Sequence, residues 1–356
     1  MQMLTHELSL CDMPRLASTP LPVAPCLSGL GIALPQSEVA SEEIDHRIGR
    51  PPGWLEARCG VARRYVAAPG ETQEALGAAA ARRALADAGL VIEDIDLLLF
   101  GASVGRQPIP ATAPLIKREL AADALTFPAY DVNATCLSAL VAADVAALHI
   151  AAGRARHVLV VTSEIASRAL PWRDAPETAG LFSDGAAAII LSAPGARKAG
   201  PLGRLTHFRM ETFAQGYEAC QLPAGGTRLD YHADPDTFGR SAWFQMDGRA
   251  LYRLTAAALP GFLDRFLDTV GLRRQDIDLV IPHQASPHAL AHIIRRGGFK
   301  PGLVFDRVRL IGNQVAASLP IALELARQEG RISAKQRILL IGTSAGVSLG
   351  AALLET

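Results

Sequence analysis

The chain has 356 residues, of which 49% are hydrophobic, and its 35 Lys and Arg residues balance its 35 Asp and Glu residues. A chain without net charge presents no global basic field, which argues against nucleic acid or an anionic membrane as a partner. Its five cysteines show neither CxxC nor Cys/His metal spacing, which indicates a reduced, cytoplasmic protein without structural zinc. The apolar residues 137–150 are interrupted by Asp144 and His149, so no transmembrane span is predicted.

Residues 1–26 form the first predicted unit. They contain Glu7, Asp12 and several prolines, which is atypical of a signal peptide, so we expect an N-terminal extension or an added edge segment. The remainder is predicted to divide into an N-terminal half, residues 27–200, and a C-terminal half, residues 201–356.

The two halves resemble each other in sequence. Residues 88–99 (AGLVIEDIDLLL) match residues 270–281 (VGLRRQDIDLVI), and helices are predicted just before them at 73–87 and 253–269. In both copies a glycine helix stop precedes an acidic turn and a fully apolar strand. A second similarity pairs residues 182–191 with 342–350. Fully apolar strands belong to sheets covered on both faces, so each half is predicted to be a layered α/β unit, with a ligand between the halves.

Cys136 is the first candidate functional residue. Residues 127–132 are predicted to form a short strand, and small apolar residues at helical spacing begin at Leu137. A thiol at a helix N-terminus is near the positive end of the helix dipole, which favours the thiolate. Position alone leaves two interpretations open, a nucleophile or inert core filling.

His283 and Asn313 are the second and third candidates. His283 follows the apolar residues 279–282, and Asn313 follows residues 309–312, which we predict to end another strand. A single His or Asn at such a place is usually structural. A Cys, a His and an Asn at equivalent strand ends of duplicated halves are expected to converge on one pocket.

The chemistry of these three side chains suits acyl transfer. A thiolate can attack a thioester and hold an acyl group, while a neutral His Nε2–H and an Asn amide can stabilise an oxyanion or enolate. Backbone N–H groups within residues 133–136 and 344–346 offer a second oxyanion hole. A cysteine protease would use the His as a base, but its acyl-enzyme would be open to water, whereas this pocket is predicted to have apolar walls.

Together these motifs resemble the β-ketoacyl-acyl-carrier-protein synthase III branch of the thiolase-fold condensing enzymes. The resemblance extends over residues 30–354. The matching motifs, in chain order, are residues 45–65, 131–139, 163–168, 182–186, 283–285, 312–313 and 316–318.

The resemblance implies a thiolase-like α/β fold, in which two duplicated halves form a five-layered α-β-α-β-α body. It implies that an acyl-CoA acylates Cys136, and that His283 and Asn313 then assist decarboxylation and Claisen condensation of a malonyl group on acyl carrier protein. The backbone N–H groups of Cys136 and Ala345 are the oxyanion-hole candidates. It further implies a homodimer that uses acyl-CoA as a substrate and needs no cofactor or metal.

The resemblance also assigns binding residues. Trp54 and Arg168 match the pair that brackets the CoA adenine, a task suited to an indole and a guanidinium. Arg58 matches a basic residue at the CoA entrance. Arg295 and Arg296 match paired lysines that meet the acidic carrier protein, although on charge alone they are a solvated helix face.

Departures from the family pattern keep alternatives open. Residues 343–346 (TSAG) replace an aromatic residue followed by glycines, Ser286 replaces the usual Asn, and His288 stands where a basic residue is expected. An acyltransferase, a head-to-head acyl-CoA condensing enzyme of specialised metabolism and a non-catalytic subunit are the alternatives. Residues 104–118 lack the carboxylate that head-to-head relatives place there, which counts against that alternative.

Overall fold

The computed structural model describes residues 23–196 and 202–356. Most of the predicted N-terminal extension, residues 1–22, lies outside the described residues, as does the predicted boundary at residues 200–201. Within the described residues, no helix combines the length and the apolar composition needed to cross a membrane.

The N-terminal half contains seven strands and six α-helices among its described residues. The strands are β1 (Cys26–Ala33), β2 (Ser37–Ala40), β3 (Arg63–Val66), β4 (Leu97–Gly101), β5 (Ala129–Val132), β6 (His157–Glu164) and β7 (Gly185–Ser192). The helices are α1 (Ser41–Arg47), α2 (Trp54–Cys59), α3 (Gln73–Ala88), α4 (Ala113–Glu119), α5 (Ser138–Ala151) and α6 (Pro176–Ala179).

The C-terminal half contains six strands and five α-helices among its described residues. The strands are β8 (Gly203–Thr212), β9 (Cys220–Gln221), β10 (Gln245–Met246), β11 (Leu279–Pro282), β12 (Arg337–Ser344) and β13 (Ser348–Glu355). The helices are α7 (Pro235–Ser241), α8 (Gly248–Val270), α9 (Pro287–Gly297), α10 (Val308–Ile311) and α11 (Ser318–Gln328).

Nine strands form one sheet in the order β11-β12-β13-β8-β1-β7-β6-β4-β5. The sheet has two wings: β1-β7-β6-β4-β5 from the N-terminal half and β11-β12-β13-β8 from the C-terminal half. They meet where β1 pairs with β8 through Cys26–Arg204 and Leu27–Gly203. The strand order β4-β6-β7-β1 in one wing is repeated by β11-β12-β13-β8 in the other, with a parallel pair followed by two antiparallel pairs in each. The wings therefore have the duplicated topology that the sequence similarity indicates.

Three helical layers enclose the two wings. Helices α3 and α4 pack on the outer face of one wing, and α8 and α9 on the outer face of the other. Helices α5 and α11 lie between the wings and contact strands of both. Leu97 and Leu99 of β4 face this middle layer, whereas Leu98 and Phe100 face the outer helices. Apolar side chains on both faces explain the fully apolar strands, and the predicted five-layered fold is confirmed.

Two sequence predictions need correction. The residues before Asn313 do not end a strand, because Val308–Ile311 is a short helix and Asn313 instead forms a β-bridge with Phe182. The helix predicted to begin at Arg253 begins at Gly248, because the Asp247 carboxylate caps its first turn by accepting hydrogen bonds from the N–H groups of Arg249 and Ala250 at 3.0 and 2.9 Å.

This cap gives a test of the fold. Replacing Asp247 with Ala leaves the first N–H groups of α8 without the carboxylate, so we expect the free energy of unfolding to fall by about 1 kcal/mol. Chemical denaturation measures the change. Asp247→Asn keeps an acceptor and is the matched control. An Asp247→Ala protein as stable as the parent would contradict the role of this cap.

Candidate active site

A cavity of about 1780 Å³ lies between the two halves and is lined by Cys136, His283 and Asn313. These residues come from different elements: the turn after β5, the end of β11 and the turn before α11. The structure therefore brings together the three side chains that the sequence singles out. Cys136 is partly exposed, whereas His283 and Asn313 are buried.

Cys136 lies in a tight turn between β5 and α5. Thr135 adopts a left-handed backbone (φ 51°), which a β-branched residue rarely does, and residues Thr135–Leu137 form one 3-10 turn. The Asn133 side-chain oxygen accepts the Thr135 N–H at 2.9 Å and so holds the turn. The Ser138 hydroxyl stabilises its other end by accepting the Ala134 N–H at 2.9 Å.

The surroundings of Cys136 do not favour a free thiolate. Burial raises the pKa of the Cys136 thiol well above its usual value, and nearby Cys220 and Glu164 raise it further. Hydrogen bonds from the backbone of Ala345 and of Cys136 itself act in the opposite direction without overcoming burial. The pKa decrease expected for a thiol at a helix N-terminus is therefore not found, because desolvation outweighs the favourable backbone groups.

Those two backbone groups are the ones predicted to form an oxyanion hole. The N–H groups predicted to stabilise an oxyanion belong to Cys136 and Ala345, and the backbone of both residues hydrogen-bonds to the Cys136 sulfur. A carbonyl carbon bonded to that sulfur would place its oxygen close to the same donors.

The side chains of His283 and Asn313 are hydrogen-bonded to each other. His283 Nε2 lies 3.1 Å from Asn313 Oδ1, and the same oxygen accepts the Val315 N–H at 2.8 Å. The Asn313 amide nitrogen donates to the Ala285 carbonyl at 3.3 Å. Because Oδ1 is an acceptor, His283 Nε2 must carry the proton. Burial lowers the pKa of His283 to about 4, so its imidazole is neutral near pH 7.

Asn313 occupies the same kind of turn as Asn133. Each asparagine precedes a left-handed β-branched residue by two positions, and the φ angle of Val315 is 52° against 51° for Thr135. Each side-chain oxygen accepts the N–H of that residue. The backbone of Asn313 is held further by Leu181 and Ser183, each through one hydrogen bond of 2.9 Å. The duplication thus builds one turn twice, once for the nucleophile and once for the amide.

Gly342 allows the two parts of the site to approach. A Cβ atom at this position would lie 2.9 Å from the His283 Cβ and 3.0 Å from Leu137 Cδ2, both closer than ordinary contacts. Leu137 directly follows the nucleophile, so a residue without a side chain is required between Cys136 and His283.

The residues predicted to bind CoA and the carrier protein lie at different distances from the cavity. Arg58 and Arg168 line it, whereas Trp54 does not belong to its lining. The Trp54 ring is flanked by the guanidinium groups of Arg50 at 4.8 Å and Arg58 at 5.6 Å. Arg295 also lines the cavity, and Arg296 is exposed beside it in the last turn of α9.

The exposed part of the lining is rich in arginine. Six arginines of the lining are exposed to solvent: Arg58, Arg106, Arg168, Arg249, Arg253 and Arg295. Such a concentration of positive charge attracts phosphate groups and acidic surfaces. Among the described residues, no three His, Cys, Asp or Glu side chains are grouped to hold a metal ion. Independence of metal and cofactor remains a prediction.

Sequence reasoning missed two residues of the cavity wall. Cys220, from β9, lines the cavity that contains Cys136, and nothing in its local sequence indicates this because β9 lies 84 positions later in the chain. Glu164 also lines the cavity and is buried. A charged residue three positions after the apolar strand residues 158–161 was the available signal for Glu164.

Comparison with known proteins shows the same relationship over most of the chain. Two family models match, 3-oxoacyl-[acyl-carrier-protein] synthase III at residues 130–207 and the C-terminal domain of the same synthase at residues 267–356. The chain is 37% identical to β-ketoacyl-[acyl-carrier-protein] synthase III of Sphingopyxis alaskensis, covering 92% of this chain and 98% of the relative. It is 33% identical to synthase III 3 of Streptomyces coelicolor, covering 93% and 97%.

Solved structures agree with this relationship. The 3-oxoacyl-(acyl carrier protein) synthase III of Pseudomonas aeruginosa superposes with a TM-score of 0.81 at 27% identity, covering 93% of this chain and 98% of that structure. Identity above 30% over nearly the whole length, together with the shared fold, settles the assignment. The chain belongs to the β-ketoacyl-acyl-carrier-protein synthase III family of thiolase-fold condensing enzymes.

Proposed function

We propose that this protein catalyses the decarboxylating Claisen condensation of an acyl-CoA primer with a malonyl thioester on acyl carrier protein, through an acyl-Cys136 intermediate. The observation that carries the proposal is the convergence of Cys136, His283 and Asn313 in one cavity between the halves. The names of the relatives in the same family support the reaction class.

In the acylation step the Cys136 sulfur attacks the carbonyl carbon of acyl-CoA. The bond to the CoA sulfur breaks, and the thiol proton of Cys136 leaves with CoA as its new thiol. Negative charge develops on the carbonyl oxygen, and the N–H groups of Cys136 and Ala345 receive it. These donors stabilise the charge where it appears in the transition state, so a resting thiolate is not required.

In the condensation step the malonyl carboxylate leaves as CO2 and its electron pair forms an enolate. The His283 Nε2–H, which donates to Asn313 Oδ1 in the structure, is the donor for the enolate oxygen, and the Asn313 amide supplies a second N–H. The enolate carbon then attacks the acyl carbonyl, the bond to the Cys136 sulfur breaks, and the departing thiolate takes a proton from solvent to restore the thiol. Decarboxylation requires no base, and a neutral imidazole with its proton on Nε2 suits that requirement.

We assign CoA binding to Trp54, Arg58 and Arg168 and carrier-protein docking to Arg295 and Arg296. The exposed arginines of the cavity lining support both assignments, since CoA phosphates and an acidic carrier protein are anionic.

A homodimer is proposed because β5 is an edge strand of the main sheet with Tyr130 exposed on it. We place the protein in the cytoplasm, in keeping with its free cysteines at 59, 136 and 220.

The division of labour between the three side chains is testable. His283→Ala and Asn313→Ala each remove one donor to the enolate, so we expect condensation to slow about a hundredfold or more. Acylation of Cys136 should remain largely intact, because its oxyanion donors are backbone groups. Rapid-quench measurement of acyl-enzyme formation, followed by its consumption with malonyl-carrier protein, separates the two rates. Normal condensation by Asn313→Ala would disprove the role of Asn313.

The docking assignment gives another prediction. Reversing the charges with Arg295→Glu and Arg296→Glu should lower kcat/KM for malonyl-carrier protein by about tenfold or more and weaken its salt dependence. The matched control is Arg273→Glu, which reverses an exposed charge outside the cavity lining. If both variants keep the salt dependence of the parent, the carrier protein docks elsewhere.

A further inference from the structure

The buried carboxyl of Glu164 has no part in the steps described above, although it lines the cavity and is only 2% exposed. Its two oxygens accept hydrogen bonds from the Ser103 N–H at 2.6 Å and the Ser103 hydroxyl at 2.8 Å. The backbone of Ala316 also hydrogen-bonds to it. One side chain at the end of β6 thus joins the segment after β4 to the turn before α11.

On one side these contacts lead to the nucleophile. The Ser103 carbonyl, next to the N–H that Glu164 holds, accepts a hydrogen bond from the Asn133 amide nitrogen at 3.0 Å. The oxygen of that amide in turn accepts the Thr135 N–H at 2.9 Å. Thr135 is the left-handed residue directly before Cys136. Glu164 therefore reaches the nucleophile turn through Ser103 and Asn133.

On the other side the contacts lead to Asn313. Ala316 follows Val315, whose N–H is held by the Asn313 side-chain oxygen at 2.8 Å. That oxygen is also the partner of His283 Nε2. The carboxyl of Glu164 thus lies between the two turns that the duplication has built, with a hydrogen-bonded route to each.

We infer that Glu164 is a positioning residue that fixes the Cys136 turn and the Asn313 turn relative to each other. The inference rests on the proposed function for its catalytic consequence. The geometric part, that Glu164 sets the environment of the Cys136 thiol, stands without it. A small displacement of either turn would separate the nucleophile from its donors, and misplacement of about 1 Å can cost about a hundredfold in rate.

The ionisation of Glu164 should change the pH dependence of Cys136 reactivity, an effect that loss of packing alone would not produce. Burial raises the pKa of Glu164 to about 8, Asp184 adds to the increase, and the hydrogen bonds from Ser103 and Ala316 oppose it. Among the described residues, Asp184 and the Cys136 thiol are titratable groups that interact with this carboxyl. The neutral carboxyl therefore predominates below about pH 8 and the carboxylate above it. Above pH 8 its negative charge opposes thiolate formation at Cys136.

The test compares the parent with Glu164→Gln and Glu164→Ala. The Gln side chain has the same shape and can accept the Ser103 N–H while donating to the Ser103 hydroxyl, but it cannot ionise. Alkylation of Cys136 by iodoacetamide is followed from pH 6 to pH 10 by intact mass, and acylation by acyl-CoA is measured on the same proteins. Glu177→Gln, which removes an exposed carboxylate, is the matched control.

We expect the alkylation profile of the parent to rise less steeply above about pH 8, and Glu164→Gln to lose this inflection while acylating at nearly the parent rate. Glu164→Ala should lose about a hundredfold in both acylation and condensation. A folded Glu164→Ala protein with parental acylation would overturn the inference. If that variant does not fold, an inflection that persists in Glu164→Gln overturns it instead. Alkylation needs no acyl-CoA. A failure of the proposed reaction can therefore be told apart from a failure of the role assigned to Glu164.

Discussion

Two asparagine side chains hold the turns on which the candidate active site is built. Asn133 and Asn313 each accept the N–H of a β-branched residue that adopts a left-handed backbone. Such residues rarely adopt this conformation, so each turn depends on the hydrogen bond that maintains it. In the N-terminal half the turn presents Cys136. In the C-terminal half the asparagine itself has become part of the site, where its oxygen fixes the tautomer of His283.

The layered fold supplies the environment that makes this arrangement useful. Sheets covered by helices on both faces leave a mostly apolar cavity between the halves, and desolvation there lowers the pKa of His283 and raises that of Cys136. Hydrogen-bond donors in such a cavity act strongly on the charge that develops during reaction. The arginines stay at the exposed rim, where they can attract anionic substrates without placing positive charge beside the thiol.

The sequence was sufficient for the parts that depend on local pattern. Fully apolar strands predicted the layered fold, and the internal similarity predicted that Cys136, His283 and Asn313 would meet. Features set by tertiary contacts were not predictable in this way. The backbone before Asn313 follows its bridge to Phe182, so the expected strand is absent. Burial raises the pKa of Cys136 where a decrease was expected, and Cys220 and Glu164 reach the cavity from distant segments.

The most direct test of the account is the intact mass of the protein after mixing with a panel of acyl-CoAs, followed by a chase with malonyl-carrier protein. We predict a mass gain of one acyl group that is absent in Cys136→Ala, persists in Cys220→Ala and disappears during the chase as CO2 and a β-ketoacyl product form. Cys220→Ala is the matched control because it removes another thiol of the cavity lining, the partly exposed one, whereas Cys59 is buried. An acyl group that survives the chase, or that resides on Cys220, would contradict the account and favour transfer to a different acceptor.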